Sequence, residues 1–224
     1  PIEGWRVALL LTALPAIYAV YIRIKLPDSP QFAVKEVSKK RSVFQNIADV
    51  WSKEYAKSTF MMWVLWFAVV FSYYGMFLWL PSVMVGKGFD LISSFKYVLI
   101  MTLAQLPGYF TAAWFIEKFG RKFVLVTYLI GTAASALVFG NAETVGVLLA
   151  SGMLLSFFNL GAWGALYAYT PEQYPAVIRG TGAGMAAAVG RIGGVFGPLL
   201  VGSLLGKGYE YGTIFAIFCV AILI

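Results

Sequence analysis

The sequence predicts an all-α, polytopic membrane bundle of about seven transmembrane helices. Three observations lead there. Of 224 residues, 60% are hydrophobic and only 12% charged, whereas soluble domains carry about 25% charge. Mean hydropathy is +0.80, more apolar surface than a soluble core of this length could enclose. The apolar residues fall into runs near the roughly 20 residues that cross a bilayer core, and the basic residues gather between the runs. The net charge of +7 therefore belongs to loops at a membrane surface, and no nucleic-acid partner is expected. A single cysteine, Cys219, precludes a disulfide framework and reads as a small core residue. There is no histidine, no paired carboxylate within a span and no metal-ligand cluster, so neither an enzyme nor a cofactor is expected.

Spans are expected at 4–24, 58–85, 93–116, 123–140, 144–170 and 177–205, with a seventh from 209 that is cut off at Ile224. This divides the chain into a first helix (1–24), a charged loop (25–57) and a helix bundle (58–224). The chain starts at Pro1 and ends in an apolar run, and so reads as a piece of a longer protein. Lys and Arg fix the orientation. Loops on the side of 25–57 hold Arg23, Lys25, Lys35, Lys39, Lys40, Arg41, Lys53, Lys57, Lys118, Arg121, Lys122 and Arg179. The opposite side holds Arg6, Lys87, Lys96 and Lys207. The twelve-to-four excess places loops 25–57, 117–122 and 171–178 in the cytoplasm of a multi-pass plasma or inner membrane protein. Within the long loop, Val43, Ile47, Val50 and Trp51 recur at helical spacing. The stretch 42–55 is either a short amphipathic helix on the membrane face or a plain tether. Trp51, Trp63 and Trp66 read as interface anchors.

The remaining basic residue, Arg191, stands in AVGRIGGVFGPLL, with no other charge between Arg179 and Lys207. Twelve residues of helix beyond Arg179 is about 18 Å, near the middle of a core about 30 Å thick. A charge there costs at least about 2.5–3.5 kcal/mol and marks a functional position by default. Its partner is either a solute or a carboxylate on another helix. Around it, Gly180/Gly184, Gly190/Gly194 and Gly193/Gly197 have the spacing of close helix packing, and Gly197-Pro198 permits a kink. Asn159, Trp163 and Tyr167 share one helix face. Tyr73 and Tyr74 lie near the breakers Gly75 and Pro81, and Gln105 near Pro107-Gly108. Together these line a midplane cavity; taken singly, each also reads as an interhelical hydrogen bond or an interface aromatic.

Three loop motifs carry a family resemblance. EKFGRK (117–122), PEQYPAVIRGTGAG (171–184) and LPDSPQF (26–32) resemble, in order, loops of the major facilitator superfamily and its sugar-porter-related branch. Glu117, Asp28 and Gln31 depart from that branch's usual aspartate, glutamate and arginine. The resemblance implies helix six through part of helix twelve, with five amino-terminal helices and their half-bundle outside this sequence. YYGMFLWLP (73–81) and GRIGGVFGP (190–198) are more similar to metabolite–proton symporters of the aromatic-acid and niacin kind, features shared with organic-ion transporters and the synaptic vesicle glycoprotein 2 group. The Gln-Gln-x-x-Gly pattern of sugar carriers is not visible.

The resemblance implies secondary active transport of a small organic solute by alternating access, with proton coupling. The carboxylate that usually titrates in such coupling is absent from these spans. An anionic carboxylate such as niacin or an aromatic acid fits Arg191 as its ligand, with Asn159, Trp163, Tyr167, Tyr73, Tyr74 and Gln105 shaping the cavity. A sugar, polyol or organic-cation carrier, or a non-transporting scaffold or receptor, are the rival readings. The family's cytoplasmic charge network maps onto Glu117, Gly120, Arg121, Lys122, Glu172 and Arg179: Arg121 and Lys122 can pair with Glu172, and Arg179 with Glu117 or Glu172.

Overall fold

The structure, a computed structural model, describes residues 4–26 and 42–224. Among these residues every regular element is a helix. The chain forms two compact units, Pro1–Ser42 and Val43–Ile224. The basic cluster from Lys35 to Arg41 and most of the LPDSPQF motif lie outside the described residues.

The first unit contains α1 (Gly4–Leu11) and α2 (Leu14–Lys25). The second contains α3 (Val43–Val50), α4 (Ala56–Phe77), α5 (Leu80–Gly86), α6 (Leu91–Leu103), α7 (Gln105–Phe119), α8 (Arg121–Gly140), α9 (Val145–Glu172), α10 (Arg179–Gly206) and α11 (Tyr211–Leu223). Five helical stretches among the described residues are long and apolar enough to cross a membrane: Ala56–Phe77, Leu91–Phe119, Arg121–Gly140, Val145–Glu172 and Arg179–Gly206; Tyr211–Leu223 is apolar but shorter.

Three of the expected spans are not continuous helices, and one local rule accounts for all three. The expected span 4–24 ends its first helix at Leu11, four residues before Pro15. The span 58–85 breaks after Phe77, four before Pro81, and 93–116 breaks after Leu103, four before Pro107. A proline lacks the N–H that would bond to the carbonyl four residues back, and its ring clashes with that carbonyl. At the first break, Thr12 Oγ1 also takes the Leu9 carbonyl at 2.6 Å. By contrast, α10 runs unbroken through Pro198, so the permitted kink is not a break in the helix.

The second unit is built on two close pairings, α4 with α10 and α8 with α9. The α4–α10 seam depends on glycine. A Cβ at Gly193 would sit 2.5 Å from the Phe67 carbonyl oxygen, and one at Gly197 would collide with the Phe71 carbonyl oxygen. Gly190 and Gly194 face the same helix, whereas Gly180 and Gly184 meet nothing within 4 Å. Of the three glycine pairs, only two are therefore packed against α4. The α8–α9 pairing uses the same device, with Gly161 against the Tyr128 ring and Gly131 against Phe158. The Tyr128 hydroxyl donates to Thr111 Oγ1 at 2.8 Å, which ties α7 to α8. Helix α11 closes onto α8 and α4, its Phe218 ring lying over Gly75 and its Cys219 buried as expected.

Trp66 is a correction. It is not an interface anchor: it is 1% exposed, and its Nε1 donates to Thr170 Oγ1 at 2.9 Å, joining α4 to the end of α9. The cause is that α4 is apolar all round, so its sequence carries no sign of which face turns inward.

Outside the spans, Asp90 caps α6, its Oδ2 accepting from the Ser93 amide at 3.0 Å. This bond holds the Asp90 carboxyl below its ordinary value of 3.8. A depressed pKa contributes stability that is present above the unfolded value and lost as pH falls through the folded one. In thermal melts, Asp90→Ala is expected to lower the melting temperature at neutral pH. The gap to wild type should close in acid below the ordinary aspartate range; a gap that persists there would contradict the assignment.

Candidate solute site and charged loop pair

Arg191 is the thirteenth of the 28 residues of α10, midway along an unbroken helix. Its side chain is exposed in this chain, and Nη1 donates to the Tyr74 hydroxyl at 3.4 Å. The reach is made possible by Gly194, one turn further on, against which the Tyr74 ring packs: a Cβ there would lie 3.2 Å from Tyr74 Cδ2. Among the described residues no carboxylate pairs with Arg191.

From Tyr74 a line of rings runs across the bundle. Tyr73 stands edge-on to Tyr74, with centroids 5.3 Å apart, and to Trp163 at 5.4 Å. Trp163 stacks with Tyr167 at 5.8 Å, and Trp66 stands edge-on to Tyr167 at 4.9 Å. Gln105, on the first turn of α7, lies close to the Tyr73 hydroxyl. Thus six of the seven predicted site residues form one connected set drawn from α4, α7, α9 and α10. The helix breaks position them: Gln105 opens the helix that follows the Ala104 break, and Tyr73 and Tyr74 lie in the last turn before the Leu78–Trp79 break.

The seventh, Asn159, lies one turn from Trp163 on α9 and is buried. No contact joins its side chain to the rings among the hydrogen bonds of the described residues. Its Oδ1, Trp163 Nε1 and Ser156 Oγ are all buried without a hydrogen-bond partner. A buried polar atom left unpaired costs about 1–3 kcal/mol. Three on one stripe of α9 form a concentration of unused hydrogen-bonding capacity beside the ring cluster.

Two members of the cluster were missed in the sequence. Trp66 was assigned to the interface. Tyr109 lies near Tyr73 and Tyr167, and packs where Gly164 leaves room, a Cβ there lying 3.2 Å from its ring. Its place directly after Pro107-Gly108 was the available signal.

At the loop ends, the predicted charge network is only partly assembled. Arg121 Nε lies 2.9 Å from Glu172 Oε1, with both side chains about 40–45% exposed. The Nε–H is not aligned on the carboxylate, so this is a charge contact and not a directed hydrogen bond. Gly120 makes it possible by turning the chain between α7 and α8 at φ 84°, a left-handed value that other residues rarely adopt. Lys122 and Glu117 are exposed. Arg179 is a correction: among the described residues it pairs with neither Glu117 nor Glu172, and its Nε donates to the Tyr174 carbonyl at 3.4 Å. Arg179 opens α10 after the bend at Tyr174 and the turn at 176–178, and takes a carbonyl only five residues back in its own chain.

A model of the Major Facilitator Superfamily matches residues 97–224, more than half of the chain. The chain belongs to the major facilitator superfamily. It is 63% identical over 224 residues to the protein named as the putative niacin/nicotinamide transporter NiaP of Bacillus subtilis, covering 100% of this chain and 56% of that protein. It is 43% identical to the niacin transporter NiaP of Acinetobacter baylyi, covering 100% of this chain and 57% of that protein. It is also 28% identical over 195 residues to the 3-(3-hydroxy-phenyl)propionate transporter of Escherichia coli, covering 87% of this chain and 47% of that protein. The chain thus spans about half the length of these superfamily relatives. As a superfamily member with five helical stretches among the described residues long and apolar enough to cross a membrane, it is a multi-pass membrane protein.

Proposed function

We propose that this superfamily chain is the carboxy-terminal part of a secondary transporter that moves a small organic carboxylate, a pyridine or benzene ring bearing one acid group. Arg191 carries the reading: a mid-span guanidinium whose only described partner is the neutral Tyr74 hydroxyl. A charge at that depth needs an anion or a wet cavity. The solute's carboxylate supplies the anion, and the flat faces of Tyr73, Tyr74, Trp163 and Tyr167 suit an aromatic ring. Asn159, Gln105 and the unpaired Trp163 Nε1 provide polar contacts in the same cavity. The names of the two niacin-transporter relatives support this solute class. The loops at 117–122 and 171–178 face the cytoplasm on the excess of basic residues. Transport proceeds by rocking of this half against an amino-terminal half about the midplane site, with protons as the coupling ion.

The test is a thermal-shift and uptake comparison of the full-length transporter with aromatic carboxylates, sugars and organic cations. A ligand that binds the folded state raises stability. Carboxylates alone are expected to raise the melting temperature and to exchange in proteoliposomes. A shift with sugars or cations and none with carboxylates overturns the solute class, and no counterflow with any of them overturns transport.

In this reading Arg121, Gly120 and Glu172, with Glu117, Lys122 and Arg179 around them, latch the cytoplasmic side in one state. An exposed ion pair contributes at most about 1 kcal/mol, or about a fivefold population change. Arg121→Glu is expected to slow exchange by no more than such a factor, and adding Glu172→Arg to restore it. A double variant no better than the single one would show that the pair does not act as a latch.

A further inference from the structure

We propose that α3 is a bilayer-contact helix: its outward stripe of Val43, Phe44 and Ile47, continued by Trp51 in the turn that follows, enters the headgroup–acyl boundary beside the base of α4, with Lys53 and Lys57 facing lipid phosphates. The proposal does not depend on which solute is carried.

The polarity of α3 is reversed for a helix lying on a protein in water. Phe44 is 82% exposed and Val43 70%, with Ile47 and Trp51 less so. Asn46, by contrast, turns inward, and its Oδ1 is buried. At about 100° per residue, Val43, Ile47, Trp51 and Phe44 fall within one arc of about 100°. Asn46, Asp49 and Val50 occupy a second arc, and Gln45 lies opposite the first. The second arc is the docked one. Val50 is fully buried against Tyr174 and Ile178, its carbonyl accepts from Thr59 Oγ1 at 2.8 Å, and the Tyr174 hydroxyl donates to Thr59 Oγ1 at 3.2 Å. The helix is thus divided into a protein-facing, an apolar and a water-facing third, the division expected of a helix lying where protein, lipid and water meet.

The position of α3 makes lipid the occupant of the apolar third. Only residues 51–55 separate α3 from spanning helix α4, and the Thr59–Val50 bond holds it against the first turn of that helix. It therefore lies at the level where α4 enters the membrane. Trp51, at the end of the stripe, stands edge-on to Trp63 of α4 at 4.9 Å, and tryptophan favours this boundary. Phe60 and Met61, exposed on the same end of α4, extend the apolar surface. Lys53 and Lys57 are exposed, one in the turn before α4 and one in its first turn, and their charge complements phosphate headgroups.

The experiment places an environment-sensitive nitrobenzoxadiazole probe on single cysteines in the full-length transporter with its other cysteines, including buried Cys219, replaced. The protein sits in nanodiscs of zwitterionic and anionic phospholipid. A probe at Phe44→Cys is expected to emit at shorter wavelength than one at Gln45→Cys. It should be quenched several-fold more by a shallow spin-labelled lipid than by aqueous iodide, with the order reversed at Gln45→Cys. Val43→Cys reads the same stripe if Phe44→Cys does not fold. Iodide quenching at Phe44 equal to that at Gln45 would overturn the proposal. So would shielding from both quenchers, which would put a second copy or the other half-bundle on the stripe. Lys53→Gln with Lys57→Gln is expected to remove any difference in lipid quenching between anionic and zwitterionic discs; a difference that persists would overturn the role of the lysines.

Discussion

Replacing Arg191 by glutamine is expected to abolish carboxylate uptake while leaving the bundle folded. The side chain is exposed in this chain, and its described bond is a long one of 3.4 Å to the Tyr74 hydroxyl, so its loss removes little packing. Removing one partner of a desolvated charge pair costs about 2–5 kcal/mol. That is a loss of affinity between about thirtyfold and several thousandfold. Arg191→Lys keeps the charge but loses the planar fork that a carboxylate takes with two bonds, and an intermediate loss is expected. Tyr74→Phe removes only the hydroxyl partner and should have a smaller effect than either. Binding measured by thermal shift, alongside uptake, separates a lost ligand from a lost fold. If Arg191→Gln still binds the acid as wild type does, Arg191 is not the carboxylate ligand. If it melts far below wild type in the absence of ligand, the arginine is a structural partner instead.

The second large effect is expected at Gly193. Its added Cβ would lie 2.5 Å from the Phe67 carbonyl oxygen and 3.0 Å from the Phe71 amide nitrogen, both backbone atoms that no rotamer change can move aside. Overpacking of a well-packed site costs typically about 1–3 kcal/mol, and Gly193→Ala belongs at the upper end because backbone must shift. Gly193→Leu forces α4 and α10 apart along the same seam that carries Tyr74 and Arg191, so both stability and binding should fall. Gly146→Ala is the control: it lies in the first turn of α9 with nothing within 4 Å of its Cβ. It should be neutral or slightly stabilising, since alanine loses less conformational freedom in a helix than glycine. Equal melting temperatures for Gly193→Leu and Gly146→Ala would refute the seam.

These two residues show what could be read in advance. The place of Arg191 midway along α10 followed from a count of residues, because helical rise is constant and α10 is unbroken. That glycines would pack closely also followed from their spacing, but not which of them would do so. Gly193 and Gly197 touch α4 backbone, while Gly180 and Gly184, at the same spacing, touch nothing within 4 Å. The breaks after Leu11, Phe77 and Leu103 each fall four residues before a proline, but α10 runs unbroken through Pro198, so proline position alone did not tell which spans would break. The ring cluster was legible in Tyr73, Tyr74, Trp163 and Tyr167, but not in Trp66, whose inward face uniformly apolar α4 does not mark, nor in Tyr109, which packs in the cleft left by Gly164.

By itself, then, the sequence determined that the chain crosses a membrane as helices, roughly where five of the seven expected crossings lie, and the family to which its loop motifs point. Each is a local property: in lipid every backbone polar group must be satisfied within its own helix, so composition and length along a segment suffice. Only the tertiary structure decided that Trp66 bonds Thr170 in the interior, that Arg179 turns to the Tyr174 carbonyl, and that α3 docks through Val50 while leaving Phe44 outside. Those outcomes depend on which faces of uniformly apolar helices meet. Lipid tails are as apolar as leucine, so hydrophobicity cannot choose among faces, and the choice falls to glycine contacts and a few hydrogen bonds between residues far apart in the chain.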